Sequence, residues 1–547
     1  MNMSTSHCEG LYPMVSHHLE IERKYEMPDA GATMPQLSWS MKELVAAPTV
    51  SEHLDATYFD TETQSLGRHK IAVRRRTGGY DQGWHIKFDA AGGRHEVGFE
   101  LTDDALGVPD PVTNFVRAAI LDETLMPRVS LTTDRKRTVL SLAGTGDLAE
   151  ICEDSVRAVD YSTGIQRTWC EWEVELLGAA EESEELAQKV FLEVETVLIA
   201  AGAVPSQSSA KIARALGQDA DFERRLKGDK ADPQPSAQAP RKKRTGRAAD
   251  QFTLPSSAQV LTTVLAHQSL ALVQADLLLK AGVQDATHRG RIAARQLRST
   301  IKYMVRPYTK SLEVDEHLAE LARELKYYAE VYETNRNGEL LADMLAERGT
   351  PAAGDLSHLM SRAQEQILVG TQEALTYSAS TRRLAVQREL EALIADVTLS
   401  ADLPLNSENY LNKVAKRLRK GVLKTYESHP GGEVGVETDA SWHDIRKMVK
   451  AARYTLESFQ DAGLPLTEDQ INMLSMAKEL QGHLGRLTDE MTFTAWLSGD
   501  APQAQESEKP SYLYLQGYSD GQADVVRGEL QEKVSAAMME LKQLTLK

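Results

Sequence analysis

Two glutamates and a lysine alternate in the segment His18–Glu26, and their spacing favours a site for metal ions and phosphate. Because alternate side chains of a strand share a face, Glu20, Glu22 and Lys24 lie on one side if this segment is a strand. Carboxylates about 7 Å apart can hold divalent cations, while a neighbouring ammonium group holds an anion. The alternative is a solvent-exposed edge strand, in which alternating charges are also common.

Length and composition set the frame for this site. A chain of 547 residues is too long for one ordinary core, so at least two domains are expected. The sequence has no long apolar run and no secretory signal, which predicts a cytoplasmic protein without a membrane partner. Three cysteines without CxxC spacing predict neither a zinc site nor a disulfide framework, and the net charge of −18 disfavours general binding to nucleic acid.

A linker separates two halves of different composition. Residues 218–252 carry three prolines and the basic run Arg241–Arg247 without apolar periodicity, so they predict a flexible basic linker. The basic run is either a phosphate-contacting arm or solvated charge, and it is assigned no site. Before the linker, short alternating segments predict an antiparallel sheet or barrel with helices at 110–119 and 181–201, an α+β domain. After it, apolar residues recur at helical spacing, which predicts an all-α domain.

Charged residues share one parity within each predicted strand of the first half. In the last strand, Glu171, Glu173 and Glu175 alternate with Trp172 and other apolar residues. If the sheet closes into a barrel, the charged set lines the lumen and the apolar set packs against helices. Such a lumen suits a polyanion bound together with Mg²⁺ or Mn²⁺. The same-parity residues in the other segments are Arg74 and Arg76, His85 and Lys87, Arg94 and Glu96, and Arg135 and Arg137.

These motifs, in this order along residues 17–217, resemble a CYTH domain, also called a triphosphate tunnel metalloenzyme. The matching segments are Glu20-x-Glu22-x-Lys24, Tyr58-Phe-Asp-Thr61, Val73–Gly79, Trp84–Lys87, Arg94-His-Glu96, Asp134–Arg137, Glu171-x-Glu173-x-Glu175 and Ser209–Leu216. The resemblance implies an eight-stranded antiparallel β-tunnel with covering helices. It also implies hydrolysis of a triphosphate-containing substrate with a divalent metal, Mg²⁺ or Mn²⁺.

The resemblance also implies roles for individual residues. Glu20, Glu22 and Lys24 would be catalytic, with Lys24 also binding phosphate. The implied metal ligands are Glu20, Glu22, Glu171 and Glu173, with Glu96, Asp154 and Glu175 as further acidic candidates. The implied triphosphate-binding residues are Lys24, Arg74, Arg76, Lys87, Arg94, Arg135, Arg137 and Lys211. Asp60 either caps a turn or contacts the metal, and the turn cap is the preferred interpretation.

The second half contains an internal repeat of basic residues. The pattern His288-x2-Arg291-x3-Arg295-x2-Arg298 returns as His443-x2-Arg446-x3-Lys450-x2-Arg453. At about 100° per residue each copy forms a stripe along one helix face. One such stripe alone is typical of a solvated face, but the duplication favours a basic groove for an extended polyanion, and the stripes lack aromatic residues that would stack nucleic-acid bases. Lys447 widens the second stripe, and Lys413, Arg417, Lys420 and Lys424 form another basic run.

The two repeats resemble the paired signature helices of a CHAD domain over roughly residues 255–499. The resemblance implies a helical bundle of two four-helix repeats that binds inorganic polyphosphate. In one departure, Ala329-Glu330 stands where the first repeat usually has Arg-Asp, and we expect Gly485 and Asp489 to lie at helix ends and in loops. The implied polyphosphate-binding residues are His288, Arg291, Arg295, Arg298, Arg417, Lys420, Lys424, His443, Arg446, Lys447, Lys450 and Arg453.

The sequence therefore predicts a cytoplasmic, metal-dependent inorganic triphosphatase that hydrolyses tripolyphosphate or polyphosphate ends in its tunnel and binds polyphosphate with its helical domain. The alternatives that stay open are a noncatalytic polyphosphate-binding or targeting protein, a thiamine triphosphatase and an adenylate cyclase. The predicted segments are an N-terminal extension at 1–16, the CYTH domain at 17–217, the linker at 218–252, the CHAD domain at 253–499, and a tail with a helix at 500–547.

Overall fold

The computed structural model describes most of the chain as two compact units, one built around a β-sheet and one of helices. The described residues are 14–27, 34–35, 39, 43–104, 107–206, 210–218, 254–395, 397, 402–428, 438–501 and 505–546. The predicted linker at 218–252 lies almost wholly outside these residues, and so does its basic run.

Eleven strands form the sheet of the first unit, in the order β1-β7-β6-β5-β4-β8-β9-β10-β2-β11, with β3 paired to β8. Every pairing is antiparallel. The strands are β1 (Ser16–Glu20), β2 (Glu22–Glu26), β3 (Leu44–Ala46), β4 (Val50–Asp60), β5 (Ile71–Thr77), β6 (Gly83–Ala90), β7 (Gly93–Phe99), β8 (Met126–Leu142), β9 (Gly146–Asp160), β10 (Gln166–Leu176) and β11 (Val204–Pro205).

The first strand closes the sheet into a tunnel. β1 pairs with β7 at one end of the sheet, and β2 pairs with β10 at the other, with only Ile21 between them. If β1 and β2 count as one interrupted strand, eight strands form the wall, as expected, and β3 and β11 are short additions. The register sets Glu20 opposite Arg94 and Lys24 opposite Glu173, so charges of opposite sign face each other across the closing strand.

The outer face of the tunnel supplies the apolar core of this unit. Trp172 and Val174 of β10 are fully buried against helix α5, where they meet Val190 and Val194. The alternation in β10 therefore separates a charged lumen from an apolar exterior, as predicted. The helices of this unit are α1 (Ser65–Arg68), α2 (Asp110–Phe115), α3 (Arg117–Ile120), α4 (Ala179–Glu182), α5 (Glu184–Ala200) and α6 (Lys211–Leu216). The helix expected at 110–119 is thus two short ones that meet at Val116.

Two local features fix the loops around β4 and β5. The carboxylate of Asp60 accepts hydrogen bonds from the backbone N–H groups of Thr61, Leu66 and Gly67, so Asp60 caps the turn into α1 as predicted. Gly78 has a φ of +81°, and a Cβ there would lie 2.1 Å from the carbonyl oxygen of His53. Only glycine fits this close approach after the Arg74–Arg76 strand.

The second unit consists of helices. Those of 15 residues or more in the described part of the chain are α7 (Ser257–Lys280), α8 (Ala286–Thr300), α9 (Leu312–Val331), α10 (Glu333–Arg348), α11 (Ser357–Ser378), α12 (Thr381–Ala395), α13 (Ser407–Glu427), α14 (Thr438–Asp461), α15 (Glu468–Asp500) and α16 (Lys509–Gln543). A π-helix, Ile301–Val305, continues α8. None of the described helices is both long and apolar enough to span a bilayer.

Nine of the ten long helices, α7 to α15, fall in the segment where two four-helix repeats would contain eight, and α16 is the helix expected in the tail. The two signature motifs lie on α8 and α14. The last helix begins at Lys509, earlier than the tail helix expected at 524–546. Its Tyr512 and Leu515 share a core cluster with Phe493 and Leu497 of α15, so this helix packs within the bundle.

A buried polar network supports the first signature helix. Asp276 of α7 and Arg383 of α12 form a fully buried ion pair, with Nε 2.7 Å from Oδ2. Tyr328 of α9 and Tyr332, which lies between α9 and α10, each donate a hydrogen bond of 2.9 Å to Asp276. A Cβ at Gly290 of α8 would lie 2.7 Å from the Tyr328 hydroxyl, so glycine lets α8 pack directly on this network.

Candidate functional site

The tunnel encloses a polar cavity of about 180 Å³ that gathers the predicted tunnel residues. Arg137 and Glu171 are the only ones of that predicted set that do not line it. Both lie next to it, because Arg137 Nη1 is 3.7 Å from the cavity residue Glu150 and Glu171 Oε1 is 2.7 Å from Lys211 Nζ. The cavity residues of the predicted set are Glu20, Glu22, Lys24, Arg74, Arg76, Lys87, Arg94, Glu96, Arg135, Asp154, Glu173, Glu175 and Lys211.

Three buried carboxylates form an acidic cluster on β9 and β10. Oxygen atoms of Asp154, Glu171 and Glu173 all lie within 4.8 Å of one another. The register pairs Asp154 with Glu171 across the two strands, and Glu173 follows Glu171 on the same face. Carboxylate oxygens are the ligands that Mg²⁺ and Mn²⁺ prefer, so the donor set fits a divalent cation.

Two lysines and one arginine balance this acidic cluster. Lys211 of α6 contacts all three carboxylates, at 2.6 Å from Glu173, 2.7 Å from Glu171 and 3.1 Å from Asp154. Lys24 lies 2.7 Å from Glu173, and Arg135 makes two hydrogen bonds of 2.7 and 2.8 Å to Asp154. Burial lowers the pKa of Lys211, but the three carboxylates outweigh it and raise that pKa well above the usual value. Cationic groups and carboxylate oxygens that could hold a metal ion are therefore in direct contact.

A second charged group lies on β1, β6 and β7. Lys87 Nζ is 2.7 Å from Glu20 and 2.9 Å from Glu96, and Arg94 Nε is 3.1 Å from Glu20. Arg74 lies 3.3 Å from Glu96. Burial works to raise the pKa of Glu20, but the charges of Lys87 and Arg94 prevail and lower it to about 2. Glu20 is therefore ionised at neutral pH, as a metal ligand must be.

Elsewhere in the lumen, burial and neighbouring charges of the same sign shift the pKa values of two further residues. Burial raises the pKa of Glu175 to about 7, with Glu20, Glu150 and Glu22 adding to the shift and Lys87 opposing it. Burial also lowers the pKa of Arg76 to about 9, because Arg74 and Arg135 add repulsion. Arg76 contacts the carboxylate of Asp81, whereas Glu175 lies among three other carboxylates. The lumen thus combines groups of both signs, which suits phosphate oxygens and metal ions together.

Sequence reasoning missed Glu150, which is buried and lines the cavity. Its carboxylate lies 4.0 Å from Arg135 and 3.7 Å from Arg137, and it accepts a hydrogen bond of 3.2 Å from the Tyr80 hydroxyl. The signal was present, because Glu150 precedes Asp154 by four residues on β9 and shares its parity.

The helical unit brings the two signature motifs together. Arg295 of α8 lies close enough to Arg446 and Lys450 of α14 for its charge to lower the pKa of both. Burial, Arg446, Arg295 and Arg291 together lower the pKa of Lys450 to about 7. Among the described residues, none of Arg295, Arg446 and Lys450 has an ion pair within 4.0 Å. We call Arg291, Arg295, Arg446 and Lys450 the cationic cluster.

Only parts of the cationic cluster are neutralised. Arg291 is buried and lies 2.7 Å from Glu333, yet its Nε has no hydrogen-bond partner, and neither does the buried Nε of Arg446. Unpaired buried donors beside several like charges are costly unless an anion satisfies them. The positive charge and unpaired donors of the cluster therefore suit negatively charged oxygen atoms.

The positions of two residues near the cationic cluster were not predicted correctly from the sequence. Asp489 was expected at a helix end or in a loop, which is wrong, because it lies inside α15 and its charge acts on Arg446, Arg336 and Lys450. Arg336 of α10 was not predicted at all; it also contacts Glu339, at 3.2 Å. The cluster is thus bordered by the further arginine Arg336 and, besides Glu333, by the carboxylate of Asp489.

The other predicted polyphosphate-binding residues lie outside the cluster or at its edge. Lys447 and Arg453 form pairs within their own helix, 3.2 Å from Asp444 and 3.0 Å from Glu457, as solvated faces do. Arg417 donates a hydrogen bond of 3.2 Å to the Tyr303 carbonyl. Residues at the edge of the cluster, which interact with its charges, are His288, Arg298 and His443. Residues exposed on α13 are Lys420 and Lys424.

Comparison with known families identifies both units. Residues 18–203 match the family model of the CYTH domain, and residues 263–498 match that of the CHAD domain. The chain carries a CYTH domain followed by a CHAD domain. The CYTH family comprises metal-dependent enzymes that transfer or hydrolyse phosphoryl groups. The tunnel with its acidic cluster is thus the CYTH domain, and the helical bundle with its cationic cluster is the CHAD domain.

Similar proteins cover both domains or one of them. The uncharacterized proteins Rv2226 and MT2285, from Mycobacterium tuberculosis strains ATCC 25618 / H37Rv and CDC 1551 / Oshkosh, are each 26% identical over 553 residues, covering 97% of this chain and 97% of the relative. The CHAD domain structure from Ricinus communis is 19% identical, with a TM-score of 0.42, and covers 53% of this chain and 93% of that chain. PptA from Streptomyces chartreusis is 16% identical, with a TM-score of 0.40, and covers 52% and 100%.

Proposed function

We propose that the chain is a metal-dependent inorganic triphosphatase of the cytosol that hydrolyses tripolyphosphate or the ends of polyphosphate in its CYTH tunnel. The observation that carries this proposal is the acidic cluster of Asp154, Glu171 and Glu173, which lies in direct contact with Lys24, Lys211 and Arg135. Ligands for a metal and cations for phosphate oxygens converge there, as phosphoryl transfer requires.

The basic residues of the tunnel would bind phosphate, and its acidic residues would hold the metal ion. Arg74, Arg94 and Lys87 on one wall, and Lys24, Lys211 and Arg135 near the acidic cluster, would each exchange a carboxylate partner for a phosphate oxygen. Glu20, Glu22 and the acidic cluster would hold Mg²⁺ or Mn²⁺, which when bound polarises phosphoryl oxygens and lowers the pKa of a water molecule. Lys24 lies between Glu22, at 2.9 Å, and Glu173, at 2.7 Å, so it is placed to neutralise charge that develops on the transferred group.

The CHAD domain would bind inorganic polyphosphate through the cationic cluster. Its four cations come from two helices and have few acidic partners in a chain of net charge −18. A flexible, repeating polyanion satisfies such donors without base stacking. Binding there would raise the local concentration of phosphate chain ends for the tunnel.

A substrate panel tests the tunnel activity. Purified full-length protein is given tripolyphosphate, long polyphosphate, ATP or thiamine triphosphate with Mg²⁺, Mn²⁺ or EDTA, and phosphate release is measured. The proposal expects metal-dependent release that is fastest with tripolyphosphate. Faster turnover of ATP or thiamine triphosphate would identify that compound, instead of tripolyphosphate, as the substrate. Binding without any phosphate release would show that the tunnel is a noncatalytic phosphate-binding site.

Polyphosphate binding is expected to weaken as pH rises above about 7. Lys450 has a pKa of about 7 before binding, and a bound anion raises that pKa because it favours the ammonium form. Affinity is therefore highest below pH 7 and falls by up to about tenfold per pH unit until the pH exceeds the pKa of the complex. Titrations with polyphosphate between pH 6 and 9 measure this affinity. Part of its pH dependence comes from the titration of polyphosphate itself, and Lys450→Gln should reduce the remaining part.

Replacing Asp489 with asparagine is expected to strengthen polyphosphate binding. The carboxylate faces Arg446, Arg336 and Lys450, where it repels an incoming phosphate. Its removal should lower the dissociation constant by about threefold to tenfold. Asp524→Asn, at an exposed position of α16, is the matched control. Weaker binding by the Asp489 variant would instead show that the carboxylate holds the cations in position for the anion.

A further inference from the structure

The loop between β5 and β6, residues 78–82, crosses one mouth of the tunnel. In the order of the sheet, β4 and β8 separate β5 from β9. Tyr80 of the loop reaches across this distance, because its ring centre lies 4.6 Å from the guanidinium carbon of Arg137 on β8, and its hydroxyl donates a hydrogen bond of 3.2 Å to Glu150 on β9. The β5–β6 loop therefore extends from one wall of the tunnel to another.

The same loop engages an arginine that the CYTH resemblance assigns to phosphate binding. The carboxylate of Asp81 contacts the guanidinium of Arg76, and the carbonyl of Asp81 accepts a hydrogen bond of 2.9 Å from the ring of His85. Tyr80 and Asp81 both line the cavity. Within the described part of the chain, the buried Nε atoms of Arg76 and Arg137 have no hydrogen-bond partner. The loop thus covers two arginines that still have donors for an anion.

The opposite end of the tunnel is filled by apolar side chains. Ala215 of α6 packs there in a buried cluster with Val156 of β9 and Trp169 of β10. On β9, Asp154 of the acidic cluster lies between Val156 and Glu150, the residue that Tyr80 contacts. A phosphate chain whose end lies at the acidic cluster therefore extends toward the β5–β6 loop. The four residues from Asp154 to Glu150 correspond to about 13 Å of strand.

The ends of the loop are fixed, but its side-chain contacts can be exchanged. Gly78 and Gly83 each approach a neighbouring carbonyl oxygen so closely that a Cβ would lie 2.1 or 2.6 Å from it. Movement is therefore confined to the residues between these two glycines. Tyr80 is 65% exposed, and the side chain of Asp81 is partly exposed. Ion pairs and cation–π contacts at such exposed positions are weak, so an incoming anion can replace them.

We infer that the β5–β6 loop is a gate that selects the length of the substrate. Tyr80 and Asp81 close this mouth over a chain that ends inside the tunnel. A longer chain must pass between them, and its phosphate oxygens then replace their contacts with Arg76 and Arg137. The gate therefore favours short chains over long ones. This inference rests on the proposed hydrolysis in the tunnel.

The test compares two chain lengths in four variants of the full-length protein. Asp81→Asn removes the carboxylate that contacts Arg76, and Tyr80→Ala removes the aromatic ring without changing the charge of the loop. Asp122→Asn and Tyr161→Ala are the matched controls, because both residues are exposed and lie outside the cavity lining. The value of kcat/KM for phosphate release is measured with tripolyphosphate and with long polyphosphate, at equal concentrations of chain ends.

Asp81→Asn and Tyr80→Ala are each expected to raise the ratio of kcat/KM for long polyphosphate to kcat/KM for tripolyphosphate. The rise should be about threefold to tenfold relative to the wild type, as expected for the loss of one weak contact. The CHAD domain is the same in every variant, so its contribution to long-chain binding cancels in this comparison.

An unchanged or lower ratio in both loop variants, or an equal rise in the controls, would overturn the inference. A rise with Asp81→Asn alone would also contradict it, since that result would show that the carboxylate only repels anions. If the wild-type protein releases phosphate from neither chain, the proposed hydrolysis fails, and the inference drawn from it fails as well.

Discussion

Replacing Glu173 with glutamine is expected to abolish most metal-dependent phosphate release. Glu173 belongs to the acidic cluster and contacts Lys24, Lys211 and Arg135 at 2.6 to 2.9 Å. Glutamine keeps the shape but loses the charge that binds a divalent cation. A lost ligand removes several kcal/mol of transition-state stabilisation, which corresponds to a decrease in kcat of about 10²- to 10³-fold. Phosphate release with tripolyphosphate and Mg²⁺ or Mn²⁺ measures it.

Two controls separate lost catalysis from lost folding or lost binding. Glu153→Gln changes a carboxylate of the neighbouring strand, β9, that pairs with Lys136 instead of facing the cavity, and it should retain activity. Tripolyphosphate binding without metal should be unchanged or tighter in Glu173→Gln, since a negative charge has left the lumen. Full activity of a folded Glu173→Gln protein would contradict the metal-site assignment.

The tunnel could be predicted from sequence because its signal is local. In a strand, parity alone decides which side chains face the lumen, so Glu20, Glu22 and Lys24 could be grouped before any contact was known. Glu150 obeys the same rule and could have been included. Which carboxylate meets which cation could not be predicted, because those distances depend on how β1 and β2 close the sheet.

The cationic cluster was harder to predict from the sequence, because the residues on one helix face do not show which other helix packs against it. The repeat predicted two basic stripes, but not that Arg295 would meet Lys450 while Lys447 and Arg453 pair within their own helix. Arg336 is a single arginine among polar residues and carries no sequence signal. Asp489 was misplaced because a glycine and an aspartate suggested a helix end, whereas α15 continues through both, since its apolar positions pack along the full helix.

Polyphosphate binding is expected to depend strongly on Arg295 and only weakly on Lys447. Both are basic residues of the predicted stripes, yet Arg295 faces three other cations and has no ion pair in the described residues, whereas Lys447 is exposed and paired with Asp444. Arg295→Gln removes charge-assisted hydrogen bonds to phosphate worth about 1.5 to 3 kcal/mol, so the dissociation constant should rise by about 10- to 100-fold.

Lys447→Gln is the matched control, because it removes one positive charge from the same pair of helices without touching the cluster. Lys447→Gln should raise the dissociation constant by less than about threefold, as expected for a solvated charge. The two variants are compared by titration with long polyphosphate at fixed salt and pH 6.5, where Lys450 is largely charged. Equal effects would mean that net charge alone attracts the polyanion, since a site organised by unpaired buried donors must respond to Arg295 far more than to Lys447.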